Sequence, residues 1–183
     1  MKQDYIHVCV VLDASGSMGV VENDVKGTFD SFIAEQREQP GKTVLDVYQF
    51  SDETARIVRS VDLSTFENDL MRNYRCSGCT ALNDAVCQAI DEIGAEFAAL
   101  PESERPEQVL VAILTDGEEN ASRRFTKADV KERIDRQTNV SQRLANSTAS
   151  VSVCSSAKAT HTAPQKVSPA AVASTALTLW PGI

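Results

Sequence analysis

The sequence predicts an α/β fold: a Rossmann-like, doubly wound sheet with one antiparallel edge strand and an incomplete C-terminal side. Three observations predict it. Residues 6–12 and 108–115 are nearly continuous apolar runs, the pattern of central parallel strands covered on both faces. Long segments of helical period fall between the strand-like runs, as in repeated strand–helix units. A three-residue link, Ser51-Asp52-Glu53, joins two further strand-like runs and is too short for a parallel crossover.

The elements follow in order. The first strand, residues 6–12, ends in Asp13-Ala14-Ser15-Gly16-Ser17. Residues 22–39 then form a helix, with Val21, Val25, Phe29, Phe32 and Ile33 on one face and Pro40-Gly41 ending it. Residues 43–50 are a second strand, and residues 54–61 a third, antiparallel to it. A short helix is expected near residues 64–71. From Ala81, apolar residues Leu82, Val86, Ile90, Ile93, Phe97 and Leu100 recur at helical steps, with Ala85 and Ala89 thinning the same face. Pro101 stops that helix, residues 108–115 form the fourth strand, and Thr126 caps a last helix with Asp129 at its third position.

Composition bounds the rest. A chain of 183 residues, 42% hydrophobic but only 5% aromatic, fits one domain with an aliphatic core. The net charge of −8 argues against a nucleic-acid binder, which needs basic stripes. No apolar run reaches the ~20 residues of a membrane span, and the N-terminus enters a strand without a leader's apolar core. The expectation is therefore a cytoplasmic protein engaging neither nucleic acid nor membrane, its oligomeric state open. Five cysteines fit free thiols in a reducing compartment. Cys76-Ser77-Gly78-Cys79 lacks nearby partners for zinc, and serves a redox role only with a low-pKa thiol, for which Cys79 is the candidate.

The chain then changes character. All 26 acidic residues lie at or before Asp135, whereas residues 138–183 carry only Arg143, Lys158 and Lys166 among the charged side chains. The domain is accordingly placed at 1–137, and 138–183 is read as a Ser/Ala/Thr-rich tail, mostly disordered from about residue 145. No apolar strand pattern follows residue 137 before the Ser/Ala/Thr-rich stretch. The abrupt loss of acids suggests that the reading frame changes near residues 138–139, which would leave an open edge on the fourth strand.

Three turns carry the chemistry. Asp13-x-Ser15-x-Ser17 leaves the first strand, Thr80 precedes the long helix, and Asp116 leaves the fourth strand. If those strands are parallel neighbours, Asp13 and Asp116 meet at the C-terminal rim, where open α/β sheets bind ligands. Two carboxylates and three hydroxyls suit a hard cation such as Mg²⁺ or Mn²⁺. Each residue also has a plainer reading: Ser15, Ser17 or Thr80 as helix caps, Asp116 as a turn residue before Gly117. Met18 is expected to pack beneath the loop.

Taken in order, Asp13-x-Ser15-x-Ser17, Gly78-Cys79-Thr80 and Thr115-Asp116-Gly117 resemble the metal-ion-dependent adhesion site of von Willebrand factor type A (VWA) domains. The stretches 80–85 and 116–120 are similar to small stand-alone bacterial and phage versions, and the resemblance spans about residues 5–137. It implies a metal-dependent protein-binding module rather than an enzyme. The serines would ligate the ion directly, Thr80, Asp13 and Asp116 directly or through water, and an open position would accept an Asp or Glu carboxylate from a protein partner. Glu118 and Glu119 would repel such a partner unless they turn away or pair with Arg123 and Arg124.

The competing reading is a Mg²⁺-dependent phosphatase or phosphotransferase of haloacid-dehalogenase type with Asp13 as nucleophile. Such enzymes carry a second aspartate where this chain has Ser15. Neither nucleotide-binding glycine pattern follows the first strand.

Overall fold

The computed structural model describes residues 2–116, 118–144 and 173–179. Five strands form one sheet, β1 (Lys2–Asp13), β2 (Lys42–Phe50), β3 (Thr54–Asp62), β4 (Pro106–Thr115) and β5 (Ala173–Leu179), in the spatial order β3-β2-β1-β4-β5. The helices are α1 (Glu22–Arg37), α2 (Leu70–Asn73), α3 (Leu82–Ala98) and α4 (Lys127–Leu144). A turn of 3-10 helix, Gly16–Val20, joins β1 to α1.

β1 lies between two parallel partners. Val10 stands opposite Val47 of β2 and Ala112 of β4, and Leu12 opposite Leu114. β3 is antiparallel to β2, as the short link requires. The doubly wound architecture and the antiparallel edge are thus as the sequence predicts.

Alternate side chains of β1 feed two cores. Val8, Val10 and Leu12 pack with Val25, Phe29 and Ile33 of α1. Cys9 and Val11 pack with Ala85, Val86, Ala89, Ile90, Ile93 and Phe97 of α3. The small residues Ala85 and Ala89 are buried to 1% exposure or less, so α3 lies close against the sheet. Val130 and Ile134 of α4 pack onto the same layer.

Boundaries differ from the sequence reading where tertiary pairing extends an element. β1 begins at Lys2 because Tyr5 pairs with Lys42 and Lys2 with Pro106. The short helix is confined to Leu70–Asn73, because Asp62 and Ser64 instead form a hydrogen-bonded turn. α4 continues to Leu144, past the point at which apolar periodicity stops.

The expected open edge on β4 is corrected. Ala173–Leu179 lies antiparallel along it, from Val109 opposite Leu179 to Thr115 opposite Ala173. Composition concealed this strand because ladder pairing runs through backbone N–H and C=O groups, which a strand edge offers to any extended segment. The proposed change of frame, near residues 138–139, falls within α4, and the expected disorder otherwise concerns residues 145–172 and 180–183, outside the described residues.

A buried polar network interrupts the α3-side core. Asp46, fully buried in β2, accepts hydrogen bonds from the Arg56 Nε and Nη2 at 2.9 Å each and from the Ser60 N–H at 2.7 Å. His7 Nε2 lies 2.6 Å from its Oδ2. Arg56 also pairs with Glu96 of α3, with Nη2 to Oε2 at 2.9 Å. Ser60 takes a left-handed φ of 48°, which its bond to Asp46 sustains beside an irregularity in the β2–β3 register.

Removing one partner of a buried pair leaves the other charge uncompensated. Arg56→Met is therefore expected to lower unfolding free energy by about 3 kcal/mol, read from urea denaturation. Burial opposes ionisation of Asp46, but His7, the Ser60 N–H and Arg56 outweigh it and hold the carboxyl below the usual carboxylate range. Its stabilisation is then complete above the unfolded pKa of about 4 and lost as pH falls through the lower folded value. Urea midpoints should drop on acidification below about pH 4, and more shallowly in Asp46→Asn.

Candidate metal centre

Parallel pairing of β1 with β4 brings their C-terminal ends side by side. Asp13, the last residue of β1, is fully buried. Its Oδ1 accepts the Ser15 N–H at 2.8 Å, and its Oδ2 accepts the hydroxyl of Thr115, the last residue of β4, at 2.6 Å. The Tyr74 hydroxyl donates to the Asp13 carbonyl.

The turn then carries both serines to the same rim. Ser15 Oγ lies 3.2 Å from Ser17 Oγ, and Ser17 Oγ donates to Asp116 Oδ1 at 3.0 Å. Ser15 occupies the cap position of the 3-10 turn, but its side chain makes no capping bond. The hydroxyl faces its neighbours in the site instead, which disfavours the plain capping role. Met18 is fully buried beneath the turn, and its sulfur receives the Asp116 N–H at 3.3 Å.

Thr80 is 3% exposed and reaches the rim through its backbone connections. The preceding segment is tied to the β1 turn by Ser77 N–H to the Ala14 carbonyl (2.8 Å) and Gly16 N–H to the Gly78 carbonyl (3.0 Å). It is braced from the β2–β3 turn by Ala81 N–H to the Ser51 carbonyl (2.9 Å) and Cys79 N–H to Asp52 Oδ2 (3.2 Å). On the other side Thr80 N–H donates to Asn120 Oδ1 at 2.8 Å.

Four predicted site residues, Asp13, Ser15, Ser17 and Asp116, therefore form one run of short polar contacts, with Thr80 locked beside them. Among the described residues, neither Asp13 nor Asp116 forms an ion pair with a lysine or arginine. A fully buried carboxylate without a cationic partner is costly, and such charges are ordinarily paired or bound to metal. The donor set, two carboxylates among hydroxyls, fits a hard divalent ion. Among the described residues no three His, Cys, Asp or Glu side chains gather at one point, so a carboxylate-only cage is not the arrangement here.

Several functional expectations are revised. Thr80 does not cap α3, whose cap position is Ala81. The acidic pair does not act as one. Glu118 is exposed, whereas Glu119 turns inward and accepts the N–H of Asn83 at 2.8 Å and of Ser122 at 2.7 Å. Burial raises the Glu119 pKa, but these bonds and those from the Ser122 hydroxyl and Ala121 N–H hold it below the usual range. Arg124 stacks on Phe125 at 5.1 Å instead of pairing with Glu119. Cys76 and Cys79 are free thiols, and burial pushes the Cys76 thiol upward.

The sequence of residues 7–161 matches the family model described as von Willebrand factor type A domain, more than half of the chain. No curated protein matches it. Among the described residues no helix is long and apolar enough to cross a membrane.

The Thr80 loop depends on Gly78, which has φ +79° and would bring an added Cβ to 2.0 Å from Asp52 Oδ2. Gly78→Ala is expected to cost about 1–2 kcal/mol from the left-handed backbone alone, plus the displacement of Asp52. Thermal unfolding of Gly78→Ala, Asp52→Ala and the double variant separates the two parts, because Asp52→Ala also loses the Cys79 N–H bond; the double variant should lose less than the two singles combined, by the steric part.

Proposed function

The chain belongs to the von Willebrand factor type A domain family, whose members mediate protein–protein interactions, and on that premise we propose a divalent-metal-dependent protein-binding module. The observation that carries the proposal is the fully buried Asp13 carboxylate, held by N–H and O–H donors and, among the described residues, by no cationic side chain. Asp13 and Asp116 balance the charge of Mg²⁺ or Mn²⁺, and Ser15, Ser17 and Thr80 supply neutral oxygens. Bound there, the ion supplies a Lewis-acid position for one further anionic oxygen, an Asp or Glu of a protein partner.

Asp13 is poorly suited to nucleophilic attack. It is fully buried, and both its oxygens already accept hydrogen bonds. Ser15 stands where a haloacid-dehalogenase-type enzyme places its acid/base carboxylate. These features favour binding over phosphoryl transfer, so the proposal is a non-enzymatic module. The free thiols of Cys9, Cys76, Cys79 and Cys87 support placing it in the cytoplasm.

Isothermal titration of the full chain should register Mg²⁺ or Mn²⁺ binding that Asp13→Ala and Asp116→Ala each abolish, with far-UV circular dichroism unchanged. Wild-type affinity in both variants would count against the site. Mg²⁺-dependent turnover of p-nitrophenyl phosphate lost in Asp13→Ala would overturn the binding reading in favour of the enzyme.

A further inference from the structure

We propose that Asp84 and Glu119 are positioning residues for this metal centre: they form a reciprocal carboxylate clasp that fixes the Thr80 loop against the segment following Asp116. The inference rests on the metal-binding reading above and names what holds two of its three turns in register.

The clasp follows from the N-terminus of α3. A helix leaves its first backbone N–H groups without partners, and Ala81 at the cap position has no side-chain acceptor to offer. The acceptors arrive from the other loop. Glu119 Oε2 receives the Asn83 N–H at 2.8 Å, and Ser122 Oγ receives the Asp84 N–H at 3.1 Å. A carboxylate at this end of a helix also meets the favourable end of its dipole.

The return half comes from α3. Asp84 gathers three successive N–H groups, Arg123 at 2.9 Å, Arg124 at 3.1 Å and Phe125 at 2.8 Å. Successive N–H groups turned to one point make an anion-binding concavity, and here the anion belongs to the chain itself. Between the two carboxylates, Asn120 and Thr80 exchange bonds: Thr80 N–H to Asn120 Oδ1 at 2.8 Å, and Asn120 N–H to the Thr80 carbonyl at 3.0 Å.

The accounting for the loop is complete. From Asn120 to Thr126, each backbone N–H is taken by Thr80, Glu119, Asp84 or, at the last position, Asp129. From Asn120 to Phe125 the segment has no helix or strand bonds of its own, so the Thr80 carbonyl and the two carboxylates define its path. Thr80 follows that path directly, and Asp116 lies four residues before Asn120. The clasp also turns the Glu119 charge into the fold, leaving Glu118 as the exposed acid of the pair.

The test uses the full chain and Tb³⁺, whose luminescence lifetimes in H₂O and D₂O count the waters on the ion. Wild type should bind Tb³⁺ competitively with Mg²⁺. Asp84→Ala and Glu119→Ala should weaken binding about tenfold to a hundredfold and change the number of waters on the ion in the same direction as Thr80→Val, the reference variant for a lost Thr80 contact. Asp84→Asn and Glu119→Gln keep one of the two acceptor oxygens and set an NH2 against N–H groups at the other, so their affinities should fall between those of the alanine variants and wild type. Alanine variants that bind Tb³⁺ with wild-type affinity and hydration overturn the clasp.

Should an alanine variant not fold, amide hydrogen exchange on the metal-free wild type decides instead. Thr80, Asn83 and Arg123–Phe125 amides should be protected and exchange together, and fast exchange at these amides overturns the proposal. Protected amides without Tb³⁺ binding in the wild type overturn the metal reading, and the positioning role with it.

Discussion

The parallel pairing of β1 with β4 is the constraint on which the rest of the structure depends. It places Leu12 against Leu114, so the next residues along, Asp13 and Thr115, meet at the sheet's rim. Both strands are covered on two faces, so a one-residue slip would carry each side chain into the opposite core and misfit both at once. The hydrophobic cores therefore set the position of the polar turn. Val8, Val10 and Leu12 are pinned by α1, Cys9 and Val11 by α3, and the chain leaves β1 with one remaining direction for Asp13.

Two buried aspartates in this sheet are treated in opposite ways. Asp46, mid-strand in β2, is satisfied by Arg56, His7 and the Ser60 N–H, and Arg56 is satisfied in turn by Glu96. Nothing about that network asks for a further charge. Asp13 has donors for both oxygens, yet among the described residues they come only from neutral groups, and Asp116 adds a second negative charge within reach of the same serine. Neutral donors soften the cost of a buried carboxylate without cancelling its charge. The sheet thus holds a charge-paired network on the α3 side of its body and, among the described residues, carboxylates without a cationic partner at its rim, and that contrast supports the proposed binding role of the rim.

Much of this was legible in the chain, and what was missed has particular causes. Asp13, Ser15, Ser17 and Asp116 were readable because each sits at the end of an apolar strand pattern, where a polar residue has no packing reason to be. Asp84 and Glu119 were not, because an acid at the start of a helix or beside a turn is common and reads as solvated charge. The available signal was a mismatch: Asp84 in the third helical position, with alanine at the cap where a hydroxyl would complete a capping box. The Asp46 network carried a similar sign, a charge at an inward-facing position between Leu45 and Val47. β5 carried none, since an edge strand is recruited by backbone pairing and its Ala/Ser/Thr composition lacks strand periodicity.

Charge balance then decides what the proposed ion does to recognition. Without a cation, Asp13, Asp116 and the exposed Glu118 make the rim negative, in a chain whose net charge is −8. An acidic partner is repelled on approach and finds no donor for its carboxylate. In the proposed reading a dication would neutralise the two aspartates and offer one position to a carboxylate, so a single event would remove the repulsion and create the attraction. The coupling works only if the three turns are already in place, because an ion that had to order them would lose affinity to their conformational entropy. The dense backbone bonding around this small set of oxygens meets that need: Ser77 to Ala14, Gly16 to Gly78, Ala81 to Ser51 and Asn120 to Thr80 are bonds between turns made wholly by the chain's own groups.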